Sequence, residues 1–263
     1  MAIMYRIDRD SPLRRPPAEI SERQLVILDG IRYSADMAGI AVDRLWQKLC
    51  AIDQDTDTNP TPWDTAEAML DAWSIIDAAH RLTDLIGNLP GLRKAPWQRI
   101  FQKRMEDAEA LRNIWQHQVG EAPRVVEQRG QIWGSLAWAQ HDGRRPTGRW
   151  YLAVAGTEFK DSKWIFGGPA TAIPREDSRR IRLLHGERTV YLARMVRDIF
   201  EAIRHLEDAI RAGELRLIGE QVNRPRESDS VMSATMLIVC GPPQAVAGGE
   251  GAPAPDDGAG AAG

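Results

Sequence analysis

An arginine and a histidine near the end of a predicted helix have the residue types that acid–base chemistry on a phosphodiester needs. His117 lies five positions after Arg112, and Asn113 directly follows the arginine. An imidazole titrates near neutral pH and can take or give a proton there. A guanidinium keeps its charge and matches the oxygens of a phosphate. Together the two residues could cleave a phosphodiester, with His117 as general base or acid and Arg112 stabilising the pentacoordinate phosphate.

Helix geometry adds a role for Asn113. Residues five apart lie about 140° apart around a helix axis, so Arg112 and His117 do not project together. Asn113 and His117 are four apart and share a face, so we expect Asn113 to orient the imidazole while the long Arg112 side chain curls toward it. The alternative is structural. Arg112 then pairs with Glu109 or another surface acid, and His117 caps a helix end where the dipole favours it.

Asp77 and His80 form a second polar pair on the preceding predicted helix. They are three residues apart and therefore adjacent on one face. An acid on a neighbouring helix can hold a catalytic histidine, which would place both residues behind the site rather than at the substrate. The alternative is an ordinary surface pair of Asp77 with Arg81 or with His80.

A run of basic residues lies between the second helix and the middle of the third. It contains five cations and no acid: Arg93, Lys94, Arg99, Lys103 and Arg104. Such a run can track an RNA backbone toward a cleft. It can equally be a solvated face, because Glu106, Asp107 and Glu109 follow directly.

The Arg112-Asn113-x-x-x-His117 pattern, late in a helical segment, resembles the signature of the HEPN superfamily. The resemblance covers roughly residues 19–120. It implies a helical bundle and, in many members, a metal-independent ribonuclease of toxin–antitoxin or phage-defence systems. It also implies a homodimer whose two motifs share one cleft, a cognate antitoxin or nucleotidyltransferase as partner, and no cofactor.

Composition narrows the remaining classes. The net charge of −3 over 263 residues gives no basic field for nucleic acid, so any RNA binding needs a local patch. No apolar run approaches the length of a membrane span and the start lacks a signal-type apolar stretch, so we expect a cytoplasmic protein without membrane contact. Nucleotide, hydrolase and zinc-protease motifs are absent, and no metal site is predicted. Cys50 and Cys240 are expected as buried, inert thiols.

Hydrophobic periodicity predicts an α+β fold, with an N-terminal α-helical bundle followed by a small, mostly antiparallel sheet and one long helix. Four segments are predicted: an irregular leader at 1–18, a HEPN-like helical domain at 19–120, an α+β domain at 124–240 and a disordered Gly/Ala/Pro tail at 241–263. The first helix follows a capping box formed by Ser21 and Gln24. The second begins at Pro62, and the third runs from Pro96 to Gly120.

The second half reads as strands around one helix. Alternating residues predict a hairpin with its loop near 142–148, and a clear apolar stripe predicts a helix over 188–212. Further short strands are predicted at 163–166, 215–218 and 231–240. Most of the nine tryptophans fall on apolar stripes and are expected in the core, whereas Trp133 and Trp164 are expected to be exposed.

A second function fits the same pattern. The helical half would be a non-catalytic dimerisation or partner-binding bundle, and the α+β half would display a recognition surface. A weaker third option is a regulator whose sheet senses a small ligand. A buried or salt-bridged Arg112 far from any cleft would favour the partner-binding protein over the nuclease.

Overall fold

The computed structural model describes residues 5–18, 20–51, 62–128, 130–140, 149–156 and 181–215. Over these ranges the chain forms a mixed α+β fold, as predicted. The elements in chain order are α1 (Glu22–Ala51), α2 (Pro62–Gly87), α3 (Pro96–Gln116), α4 (Gln118–Glu127), β1 (Ser135–Gln140), β2 (Arg149–Val154), β3 (Ile181–His185), β4 (Arg188–Tyr191) and α5 (Leu192–Arg211).

Helix α1 begins with the predicted capping box. The Ser21 N–H donates to Gln24 Oε1 at 3.0 Å, and the Gln24 N–H donates to Ser21 Oγ at 3.3 Å. The Gln24 amide also donates to the Pro90 carbonyl at 2.9 Å, which ties the start of α1 to the end of the α2 segment. The predicted apolar stripe is buried along the whole helix: Leu28, Ile31, Ala35, Ala38, Val42, Leu45 and Leu49.

Helix α2 packs between α1 and α3, and most of its apolar residues are buried. Leu70 is an exception that the periodicity did not separate from its neighbours, because it is 62% exposed. Cys50 also departs from expectation. It lies exposed near the end of α1 rather than in the core, because it follows the stripe residue Leu49 on the solvent side.

The third helix ends earlier than predicted, and a further helix follows it. Helix α3 stops at Gln116, and α4 then runs through both Gly120 and Pro123, where the sequence predicted an end and a change of period. The bend at His117 replaces the expected break. Pro123 removes one backbone donor from α4, and this surface helix has no buried residue.

The four described strands form one antiparallel sheet in the order β2-β1-β3-β4. The predicted hairpin is confirmed, with Trp138 of β1 opposite Tyr151 of β2. The predicted helix over 188–212 begins later than expected. Its first four residues form strand β4 instead, which pairs with β3 across a tight turn at Gly186. The φ of Gly186 is 56°, a conformation that favours glycine.

Helix α5 joins the sheet to the helical half. It packs on α1, α2 and α3 on one side and on β3 and β4 on the other. Its buried face includes Leu192, Val196, Ile199 and Leu206, which belong to the same core cluster as the stripe of α1. The segments predicted as separate domains therefore share one core within the described ranges.

Residues 5–18 contain no regular secondary structure, as predicted, yet they pack onto the core. Ile7 and Leu13 are buried, and the Ser11 hydroxyl hydrogen-bonds to the carboxylate of Glu207 on α5. Arg14 pairs with Asp36 of α1 at 2.7 Å. No described helix is long and apolar enough to span a bilayer.

Several predictions lie outside the described residues. They concern the strands at 163–166 and 231–240, all of 215–218 except Leu215, the tail at 241–263, Trp164 and Cys240. Leu215 itself bridges to Leu92, the residue that follows the turn after α2.

Candidate functional site

The Arg112 motif lies at the junction of α3 and α4. Arg112 and Asn113 belong to the end of α3, whereas His117 follows its last residue. His117 has φ −111° and ψ 30°, and its N–H donates to the carbonyl oxygens of Asn113 and Ile114 at 3.2 Å. His117 therefore occupies the position that ends α3.

Arg112 has an unusual environment for a surface arginine. The residue is partly buried, and its Nε atom is enclosed without a hydrogen-bond partner. The pairing with Glu109 that the sequence left open is not formed, and no described carboxylate makes a salt bridge with Arg112. Gln118 Nε2, just beyond His117, is also enclosed without a partner. Enclosed donors of this kind are rare, and bound water or an anion commonly accounts for them.

The motif side chains do not contact one another through hydrogen bonds within the described chain. Asn113 and His117 are both exposed, and His117 has left the helical conformation that would place it directly above Asn113. The expected orientation of the imidazole by Asn113 is therefore not present in a single protomer. Arg112, Asn113 and His117 therefore lie at the junction of α3 and α4, and no described hydrogen bond or ion pair joins the Arg112 guanidinium to the His117 imidazole.

Asp77 and His80 are each bonded one turn further along α2 rather than to each other. Asp77 Oδ2 accepts a hydrogen bond from Arg81 Nε at 2.6 Å, and His80 Nε2 lies 3.4 Å from Asp84 Oδ2. No described hydrogen bond joins either residue to His117. These contacts match the surface pair that the sequence offered as the alternative for Asp77.

Among the five residues of the basic run, Arg104 alone forms a described salt bridge. All five residues are exposed, but Arg104 Nη1 bonds Glu201 of α5 at 2.7 Å and Asp198 at 3.3 Å. The hydrogen bond to Glu201 raises the pKa of Arg104 and lowers the pKa of Glu201. Burial raises the pKa of Asp198, and the neighbouring arginines lower it in part. Arg104 therefore fastens α3 to α5.

A comparison with protein families, curated proteins and solved structures finds no match to this chain. Among the described His, Cys, Asp and Glu side chains, no group of three or more is arranged to hold a metal ion.

A large cavity opens beside the motif, on the face of α2. Its volume is about 780 Å³, and its walls come from α1, α2, the end of α3 and the end of β2. Trp73, Trp115 and Trp133 meet at its base, with ring centroids 5.9–6.4 Å apart. The Trp73 indole N–H donates to the Trp133 carbonyl at 3.3 Å, which fixes its ring.

Sequence reasoning found the tryptophans but not the cavity. Trp73 is buried and Trp133 is 37% exposed, as predicted, and Trp115 packs against the core. The three belong to α2, α3 and the approach to β1, so their convergence depends on how these elements pack. The sequence shows an unusually large number of tryptophans, but this number does not indicate that three of them border the same cavity.

Proposed function

We propose that this protein is an endoribonuclease that cleaves RNA without a metal, with Arg112 and His117 as the reacting pair. The observation that carries the proposal is the unneutralised Arg112. Its enclosed Nε has no partner, and no described acid pairs with its guanidinium. The exposed imidazole of His117 lies one turn further along the chain, at the helix end.

The chemistry requires one base, one acid and positive charge on the phosphate. His117 takes the 2′-hydroxyl proton, the 2′ oxygen attacks the phosphorus, and the bond to the 5′ oxygen breaks. The products are a cyclic phosphate and a 5′-hydroxyl, whose oxygen receives a proton from an imidazolium. Arg112 stabilises the extra negative charge of the pentacoordinate state. A second protomer supplies the second imidazole, which explains why a single chain holds an incomplete site.

The other predicted residues take smaller parts. Arg93, Lys94, Arg99 and Lys103 are exposed and would contact RNA phosphates, whereas Arg104 is engaged with α5. Asp77 and His80 are bonded to Arg81 and Asp84 and receive no contact with substrate in this proposal. The HEPN resemblance would set such an enzyme in a toxin–antitoxin or phage-defence system, beside an antitoxin or a nucleotidyltransferase.

The test is RNA cleavage by purified protein in the presence of a metal chelator. We expect wild-type protein to cleave, and His117→Ala and Arg112→Ala each to lower the rate by about a hundredfold or more. Gln116→Ala and Gln102→Ala are matched controls, because both residues are exposed on the same helix and neither is assigned a contact with RNA. We expect the controls to keep most of the activity. Equal rates in His117→Ala and wild type would remove the proposal.

A second candidate function is a non-catalytic dimerisation or partner-binding protein. One observation favours it: Tyr33, Met37 and Ile40 are 46%, 53% and 48% exposed and follow each other at helical spacing on α1. A row of exposed apolar side chains often marks a protein contact. The same cleavage assay distinguishes the two functions, because a non-catalytic protein should form a stable dimer and the wild type should not cleave RNA.

A further inference from the structure

The cavity on α2 has the size and lining of a small-molecule site. Its volume of about 780 Å³ lies within the range of pockets that enclose organic ligands. The indole rings of Trp115 and Trp133 supply flat apolar surface, with the buried Trp73 ring stacked on Trp115. Leu70, 62% exposed, lies in the cavity wall on the solvent side of α2. Pockets of this kind usually hold a ligand by apolar contact and orient it through a few polar groups.

The charge of the lining narrows the class of ligand. Asp77 is the one ionisable group among the described lining residues, and no lysine, arginine or histidine contributes to the wall. Indole faces carry negative electrostatic potential and attract cations. Asp77 Oδ2 accepts a hydrogen bond from Arg81 Nε, so the other carboxylate oxygen can still accept a hydrogen bond from a ligand.

We propose that this cavity binds a flat, apolar small molecule that is cationic or uncharged, with its amine or hydroxyl donor at Asp77. A nucleotide or an RNA phosphate is disfavoured, because no described lining residue carries a positive charge. The site is therefore distinct from Arg112 and does not depend on RNA cleavage. Trp115 connects the two places, because it lies in the cavity wall and between Arg112 and His117 in the chain.

Three naphthalene probes of similar size test the charge preference: naphthylmethylamine, naphthylmethanol and naphthoate, titrated into the full chain by calorimetry at neutral pH. We expect the amine and the alcohol to bind, with the amine about tenfold or more tighter than the carboxylate. Naphthoate binding as tightly as the amine would overturn the proposal.

Variants locate the binding. Leu70→Trp should fill the cavity and abolish binding of the amine, whereas Val26→Trp should preserve it, because Val26 is 72% exposed on α1 outside the lining. Ala66→Phe, also exposed and in the wall, is a second filling variant should the first misfold. Binding that survives in both folded filling variants would overturn the proposal.

Two further variants examine Asp77 itself. Asp77→Asn should weaken the amine about fivefold and leave the alcohol unchanged, since only the cation loses a charged partner. Arg81→Gln removes the competing cation and should strengthen or preserve amine binding. Equal losses in both variants would mean that the Asp77–Arg81 pair supports α2 and has no role in recognising the ligand.

Discussion

Arg104 and Arg112 lie two turns apart on α3 and differ in their partners. Arg104 bonds Asp198 and Glu201, whereas no described acid pairs with Arg112. An arginine that bonds acids on another helix ties the two helices together, whereas an arginine without a described acid partner is available to a phosphate. The sequence assigned Arg104 to a run that binds RNA and Arg112 to a catalytic pair, because residue type and spacing do not show where the acids of a distant helix lie.

His185 gives a prediction at the residue scale. It is buried at the end of β3, with Nε2 3.2 Å from the Ile132 carbonyl oxygen. Burial lowers its pKa below the ordinary 6.5, while the Ile132 carbonyl and Glu121 raise it in part and Arg124 lowers it further. As the pH falls through 6.5 the unfolded chain takes up a proton first, so stability present at neutral pH is lost toward the lower folded pKa.

The measurement is the free energy of unfolding from about pH 7.5 to about pH 5.5. We expect a smaller decline in His185→Gln than in wild type, because glutamine has no proton to take up. Burial raises the pKa of Asp71 and Asp198 from 3.8, which acts in the opposite direction at lower pH and is common to both proteins. Parallel curves would mean that His185 titrates alike in both states.

Two helical glycines give a prediction at the scale of elements. Glycine inside a helix costs about 1 kcal/mol relative to alanine. Gly120 in α4 has open space where a Cβ would lie, so we expect Gly120→Ala to stabilise the protein by about 0.5–1 kcal/mol. At Gly39 in α1 a Cβ would overlap the Tyr5 carbonyl, so Gly39→Ala should destabilise it despite the better helix former.

Urea unfolding of both variants checks the opposite signs. The clash at Gly39 exists because the N-terminal segment crosses α1 closely, with Tyr5 packed on Phe200 of α5. Two stabilising substitutions would show that the segment at Tyr5 moves away at little cost. Helix propensity therefore predicts the effect of a glycine substitution only where no other part of the chain packs closely against the helix.

At the scale of the whole molecule, we expect α5 to make unfolding of the described chain cooperative, because it packs on both the helices and the sheet. Ile199 is fully buried in the core that α5 shares with α1, α2 and α3. Ile199→Ala should lower the free energy of unfolding by about 2–5 kcal/mol, and a single transition should appear. Arg204→Ala, on the exposed side of α5, should change it little.

Tryptophan fluorescence and far-ultraviolet circular dichroism, followed together in urea, test this cooperativity. Coincident curves are expected, because the tryptophans of the helical half and the sheet lie around the same core. Two separate transitions would instead support independent helical and α+β units, with Ile199→Ala shifting only one of them.

Local order was readable from the sequence. The capping box at Ser21, the stripe of α1, the start of α2 at Pro62 and the β1–β2 hairpin follow from hydrogen-bonding groups and periodicities within a few residues of each other. The end of α3 and the start of α5 could not be predicted from the sequence, because the bend at His117 and the pairing of β4 with β3 depend on neighbouring elements.

The sequence by itself determined α1, α2, most of α3, most of α5 and the β1–β2 hairpin, and it singled out an arginine and a histidine able to act on a phosphate. Tertiary packing alone decided that Arg104 is tied to α5 and that three tryptophans from different elements border one cavity. The reason is range. Periodicity and capping act over a few residues, whereas a partner or a cavity depends on chain segments far apart in sequence.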